Sequence, residues 1–148
     1  MFIFNHLCGV ILHISGRGIS RGRGSGRLLV SPAPISFLSG VDPETGVIVE
    51  KGHPLKGTPI AGRVLAFPFG KGSTVGSYVL YALSRNGHAP AAIVNSEAEA
   101  IIATGAIIGG IPMIDRISVP LSRLKDNIPV VIDGDTGAME YDGELRPE

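Results

Sequence analysis

Apolar residues along this chain fall into short blocks, and the spacing within each block predicts its conformation. Leu28-Leu29-Val30, Val64-Leu65-Ala66-Phe67, Ala91-Ala92-Ile93-Val94 and Val130-Val131-Ile132 are continuous apolar runs, and Ile111 to Ile114 form another around Pro112. Runs this short, bounded by Gly, Pro and Asn, predict strands, and the run at residues 63–67 predicts a buried one. Two further blocks have helical spacing. In residues 73–85 the apolar positions are Val75, Val79, Leu80, Ala82 and Leu83, and Asn86-Gly87 stops the pattern. Ser96 and Glu99 have the separation of a capping box ahead of a second helix over residues 100–108, which Gly109-Gly110 ends.

Strand, helix, strand, helix, strand in that order calls for parallel pairing through right-handed crossovers. The stretch before it reads differently. Residues 32–62 are punctuated by Asp42-Pro43-Glu44-Thr45-Gly46, Gly52, Pro54, Gly57 and Pro59, with Val47-Ile48-Val49 as a short β run. This predicts hairpins and ordered loop without a helix. Residues 136–141 are placed to close the sheet as a hairpin with the strand at Val130. The expected fold class is α/β, a single layered domain of β/β/α type over residues 14–148, with residues 1–13 an N-terminal extension or a first strand.

Composition narrows the functional classes. The chain has 148 residues, one domain's worth, and 44% hydrophobic residues supply a core. With 5% aromatics and no Trp, that core is aliphatic. Thirteen basic residues balance thirteen acidic ones, against bulk binding to nucleic acid or an anionic membrane. The charge is polarised, however. Arg17, Arg21, Arg23 and Arg27 precede the first acid, Asp42, whereas residues from 133 onward carry six acids against Arg146. Such halves lie against each other or face a partner. A single cysteine, Cys8, cannot build a disulfide framework or hold a zinc or iron–sulfur site by itself; it reads as a small buried hydrophobe. The apolar opening, Met1 to Ile14, is too short to span a bilayer and has no basic residue before it. A cytoplasmic location is the expectation.

Residues 16–27 (GRGISRGRGSGR) look like an arginine–glycine RNA tail. The stretch is brief and runs into an apolar strand, so solvated hairpin turns with arginines on one face are the favoured reading. The more informative stretch is Gly70-Lys71-Gly72-Ser73-Thr74-Val75-Gly76-Ser77-Tyr78, between a strand and a helix. Free amides at a helix start attract an anion, and small residues admit a ligand to the backbone. A nucleotide P-loop is excluded: Gly72 separates Lys71 from Ser73, and Leu65 stands where the motif needs its first glycine. On spacing alone Ser73 is an N-cap. His6, His13, His53 and His88 have no metal-ligand spacing. His53 is the candidate if the domain carries a phosphohistidine. Asp133-Gly134-Asp135 lacks the remaining ligands of a calcium loop and reads as a turn.

Residues 36–46 (SFLSGVDPETG), followed by residues 70–80 (GKGSTVGSYVL), carry a resemblance. Together they resemble the small, swivel-domain subunit of the aconitase X family, over about residues 14–141. The resemblance implies a swivelling β/β/α domain that works as a lid in a heterodimer, and an aconitase X-type large subunit that holds a 4Fe–4S cluster on cysteines. It implies a hydro-lyase converting (R)-5-phosphomevalonate to trans-anhydromevalonate 5-phosphate in archaeal isoprenoid synthesis, with Ser73 as proton acceptor. Lys71, Gly72 and Thr74 would contact substrate beside it. Ser36 and Asp42 would line the same cleft from the β section. One departure matters: ordinary aconitases have a motif similar to Gly-x-Gly-Ser-Ser-Arg, and Val75 stands here in place of the arginine that grips a carboxylate. That role falls to Lys71, to Arg63 or to the partner, and citrate-like substrates are disfavoured. A hydroxyproline dehydratase subunit and a non-catalytic swivel or phosphohistidine carrier remain as alternatives.

Overall fold

A computed structural model describes residues 11–148. The readings of His6 and Cys8, and most of the N-terminal extension, lie outside the described residues. In chain order the strands are β1 (Ile11–Ile14), β2 (Arg17–Ser20), β3 (Arg23–Val30), β4 (Ile35–Ser36), β5 (Val64–Phe67), β6 (Gly70–Lys71), β7 (Ala92–Asn95), β8 (Met113–Asp115), β9 (Pro129–Asp133) and β10 (Ala138–Asp142). Two helices, α1 (Gly76–Arg85) and α2 (Ala100–Gly109), lie between β6 and β8. No helix among the described residues is long and apolar enough to cross a membrane.

The main sheet has the order β1-β10-β9-β3-β5-β7-β8-β2, and β4 pairs with β6 separately. As the alternation of strands and helices requires, β5, β7 and β8 are parallel neighbours, and β3 joins them in parallel through a connection that contains no helix. The other part is antiparallel, with β10 between β1 and β9, and β9 against β3. Strand β3 joins both parts. Arg23 to Arg27 pair with β9, whereas Leu28 to Val30 pair with β5.

Side chains alternate across the parallel strands and fill two cores. Leu29, Leu65, Phe67 and Ile93 point to a core shared with Leu80 and Leu83 of α1 and Ile102 and Ala106 of α2. Leu28, Val64, Ala66, Ala92, Val94 and Ile114 point the other way, onto Val130, Ile132, Met139 and Tyr141 of the antiparallel strands. The layers are therefore antiparallel sheet, parallel sheet and helices: the β/β/α arrangement.

Several details differ from the sequence-based expectation. Residues 16–27 form β2 and most of β3 rather than a series of hairpin turns. Their glycines are packing positions, since a Cβ at Gly18 would collide with the Gly134 carbonyl and one at Gly24 with the Ala91 carbonyl. The arginines are largely engaged within the chain. Arg17 donates to both carboxylate oxygens of Asp115, at 2.9 and 2.8 Å. Arg23 lies 3.6 Å from Asp133, and Arg27 donates to the Asn127 carbonyl at 2.9 Å. Contact between the basic and acidic halves is thus made through Arg23 and Asp133. In the second helix, Glu99 is the N-cap itself rather than the third helical residue. Its carboxylate accepts from the amides of Ile101 and Ile102 at 2.9 and 2.8 Å. Glycine ends α2 as expected, with Gly110 left-handed at φ 68°.

Candidate active site

The site begins where β5 leaves the sheet. After Phe67, the chain continues through Pro68 and Phe69 into β6, which pairs in parallel with β4: Ile35 faces Gly70, and Ser36 faces Lys71. Phe37, buried and tilted against Phe67 with ring centroids 6.0 Å apart, anchors the β4 segment onto the helical core. These contacts place the backbone of residues 36–38 alongside that of residues 70–76.

Both glycines of Gly70-Lys71-Gly72-Ser73 are demanded by this packing. A Cβ at Gly70 would collide with Ile102 in the first turn of α2. Gly72 is left-handed, at φ 94°, and a Cβ there would lie 2.8 Å from Ser36 Oγ. The chain reverses at Gly72, and helix α1 begins at Gly76 instead of Ser73. Between them is a turn. Ser73 Oγ accepts from the Val75 amide at 3.1 Å, and the Ser73 carbonyl accepts from the Gly76 amide at 2.9 Å. A serine that bonds the amide two residues on competes with helix formation, which is why regular helix starts late. Val75 occupies the N-cap position and makes no side-chain cap. Residues 71 to 75 are all exposed.

Chemically, this geometry puts the Ser73 hydroxyl at the surface, just ahead of a helix N-terminus. An amide that donates to Oγ favours the anionic form of that oxygen, and the helix field acts in the same sense. Thr74 is beside it, its carbonyl accepting from both the amide and hydroxyl of Ser77, at 3.2 and 2.9 Å. Lys71 is ion-paired, with Nζ 2.8 Å from Glu50 Oε2. The same carboxylate accepts from the Ser36 amide through Oε1 at 3.2 Å. Burial pushes the Glu50 carboxyl up, but the hydrogen bonds from Lys71 and Ser36 outweigh it and hold the group below its ordinary range. Glu50 was not expected from the sequence. Its link to Lys71 exists only because β4 and β6 pair, and no local spacing announces it.

Of the candidate residues, the structure brings Ser36, Lys71, Gly72, Ser73 and Thr74 to one edge of the domain. It does not bring Asp42 or Arg63 there. Asp42 Oδ1 accepts from the Glu44 amide at 2.9 Å in a turn that Asn86, at the far end of α1, holds through the Pro43 carbonyl at 2.8 Å. The motif at residues 36–46 therefore divides, with its first residues at the loop and its turn about 15 Å away along the ten-residue helix. Arg63 precedes β5, at the opposite end of that strand, and donates to the Arg27 and Leu28 carbonyls and to Asn127 Oδ1 at 3.1, 2.7 and 2.8 Å. It joins strands and does not reach the loop. His53 is buried; its Nδ1 accepts from the Leu55 amide at 3.0 Å and its Nε2 lies 3.2 Å from the Pro34 carbonyl. Neither ring nitrogen is placed to carry a phosphoryl group. Asp133 closes its turn by accepting from the amides of Asp135 and Thr136, at 2.9 and 3.3 Å. Among the described residues, no three His, Cys, Asp or Glu side chains converge to hold a metal. They do not supply a ligand set for an iron–sulfur cluster.

Comparison with known proteins places this geometry. Residues 13–141 match the aconitase X swivel domain. The chain is 55% identical over 130 residues to a protein of Methanocella arvoryzae named phosphomevalonate dehydratase small subunit, covering 87% of this chain and 98% of that one. A protein of the same name from Thermococcus onnurineus is 53% identical, covering 88% and 99%. The crystal structure of the holo form of aconitase X from Thermococcus kodakaraensis superposes with a TM-score of 0.84 at 50% identity, over 88% of this chain and 98% of that one. The expected resemblance is borne out, and the chain belongs to the aconitase X swivel-domain family.

Proposed function

We propose that this chain is the small subunit of a two-subunit iron–sulfur hydro-lyase that dehydrates (R)-5-phosphomevalonate to trans-anhydromevalonate 5-phosphate. The observation that carries the reading is the exposed Ser73 turn at the start of α1, on a chain about half identical to proteins named phosphomevalonate dehydratase small subunit over nearly their whole length. Dehydration requires loss of a proton next to a carboxylate, a weakly acidic position, and departure of a hydroxyl, which a cluster in the partner would assist as a Lewis acid. Ser73, in its deprotonated form, takes the proton at Oγ. The Val75 amide and the N-terminus of α1 lower the cost of forming the Ser73 oxyanion, so that more of it is present to act as base. Lys71 and the backbone around Gly72 receive an anionic group, while Thr74 and Ser36 shape the approach.

The 4Fe–4S cluster belongs in an aconitase X-type large subunit, because the described residues here do not fit it. Docking of that subunit over the Ser73 turn is supported by the exposed apolar side chains around it: Leu38 is 38% exposed, Val75 45% and Tyr78 68%. A covered loop excludes water from the reacting carbon and strengthens the electrostatics at Ser73.

The test is anaerobic turnover of 5-phosphomevalonate by this chain co-expressed with its candidate large subunit, followed by phosphorus NMR. Each subunit alone is a control. Turnover only by the mixture, abolished by Ser73→Ala with the complex intact, is the expected result. A cluster-loaded complex that leaves phosphomevalonate unchanged but dehydrates hydroxyproline overturns the substrate. Full activity in Ser73→Ala overturns the proton acceptor.

A further inference from the structure

We propose that Glu50 is a positioning residue for this reaction, fixing the Lys71 ammonium and the Ser36 strand relative to each other so that substrate meets a preset cation. The inference rests on the reading of the Ser73 turn as the substrate site. Glu50 spans the two strands that bear that site, with Oε1 3.2 Å from the Ser36 amide and Oε2 2.8 Å from Lys71 Nζ. Ser36 and Lys71 face each other in the β4–β6 ladder. That ladder is two residues long on each side, too short to hold its own geometry. Glu50 is itself anchored, its amide donating to the Gly40 carbonyl at 3.2 Å. Room for its carboxylate is left by Gly40, where a Cβ would lie 3.0 Å from Oε1 and would collide with the Ser36 carbonyl.

A surface ion pair by itself does little for stability. Here the Glu50 side chain is 20% exposed and has a backbone donor as well, so the pair defines a position. Lysine is a flexible point charge with three donors. One is taken by Glu50, and the others remain for an anionic oxygen. Without the tether, the ammonium must be ordered when substrate binds, and the cost falls on substrate affinity rather than on the proton transfer at Ser73.

The reconstituted two-subunit enzyme tests this with Glu50→Gln, Lys71→Met and the double variant, using 5-phosphomevalonate as substrate. Glutamine keeps an acceptor for the Ser36 amide and removes the charge that holds Lys71. The expected result is a KM raised about tenfold, the factor carried by a modest charge-assisted hydrogen bond. The kcat of Glu50→Gln stays within about threefold of wild type. Lys71→Met raises KM at least as much, because it also removes the cation that meets substrate, and the double variant is no worse than Lys71→Met, because Glu50 acts through Lys71. An unchanged KM in Glu50→Gln overturns the proposal, and so do effects that multiply in the double variant. Loss of association with the large subunit also overturns it, since Glu50 would then serve assembly. Ser73→Ala run alongside separates the two readings. Turnover that survives it refutes the site, whereas an inactive Ser73→Ala with a kinetically silent Glu50→Gln refutes only the role of Glu50.

Discussion

Gly72→Ala is the sharpest probe of how the loop is held. An alanine at φ 94° is strained by about 1–2 kcal/mol, offset by a few tenths through a stiffer unfolded chain. Its Cβ would also sit 2.8 Å from Ser36 Oγ, which donates to the Leu38 carbonyl at 2.8 Å. The hydroxyl must turn away and lose that bond, about 1 kcal/mol more. Gly57 is the matched control: its φ is 90°, and nothing lies within 4 Å of a Cβ built there. Gly57→Ala therefore reports the backbone strain alone. At about 3 °C per kcal/mol for a domain of this size, Gly72→Ala should lower Tm by about 5–8 °C and Gly57→Ala by about half that. Thermal melts of the isolated subunit measure both. Turnover of the reconstituted enzyme should fall at least about tenfold in Gly72→Ala, since small displacements of catalytic groups are costly, and stay near wild type in Gly57→Ala. Adding Ser36→Ala to Gly72→Ala should cost less than the two single changes summed. Equal melting of the two glycine variants, with turnover retained in both, would refute the account of the Gly72–Ser36 contact.

Other perturbations test other parts of the structure. Asp115→Ala removes a buried carboxylate bonded twice by Arg17 and once by the Ala98 amide, and urea unfolding should show a loss of about 2–4 kcal/mol. Burial raises the Asp115 carboxyl, as it does that of Glu50, but the hydrogen bonds from Arg17 and Ala98 outweigh it, and both groups titrate below their ordinary range. The unfolded chain therefore binds more protons, so the stability these groups give is present above the ordinary carboxylate range and lost as pH falls through their lower folded values. Acid melting curves should have a shallower slope in Asp115→Asn and Glu50→Gln. Glu99→Ala removes the cap of α2 and should lower stability by about 1–2 kcal/mol. Tyr78→Asp, at a side chain 68% exposed, should leave Tm within about 1 °C while weakening association with the large subunit at least about tenfold in a titration.

What could be read from the sequence was whatever depends on neighbours in the chain. The apolar runs at Leu28, Val64, Ala92 and Val130 are strands, and the alternation of the Val64, Ala92 and Met113 strands with two helical blocks produces the parallel order. The loop at Gly70 was legible because glycines, a serine and a helix start fall within a few residues. Tertiary contacts decided the rest. Glycines at residues 16–27 resemble a flexible tail until the Gly134 and Ala91 carbonyls are seen against them. Glu99 looks like the third residue of a capping box, yet it turns back to cap the helix itself. Arg63 and Asp42 have the chemistry of substrate ligands, yet their hydrogen bonds belong to strand junctions and turns. Nothing local in the sequence marks Glu50, because its partners at Ser36 and Lys71 meet only across the β4–β6 pairing.

The charge inventory of the loop bears on what the large subunit must contribute. Residues 70–76 contain one cation, Lys71, and Glu50 lies 2.8 Å from it. Arg63, the other candidate cation, is held at the far end of β5. Val75, standing where the related aconitase motif has its arginine, instead presents an apolar side chain beside Leu38 and Tyr78. A substrate bearing both a phosphate and a carboxylate would therefore meet little net positive charge on this chain, beyond the amides at the start of α1. Those amides and Ser73 would serve the proposed proton transfer; they are too few to bind two anionic groups against water. Most of the cations for substrate binding must then come from the large subunit. It follows that the isolated small subunit should show no measurable affinity for phosphomevalonate by calorimetry, while the complex binds it. Micromolar binding by this chain alone would mean that Lys71 and the amides of this turn hold the substrate without cations from the partner, and would refute this charge argument.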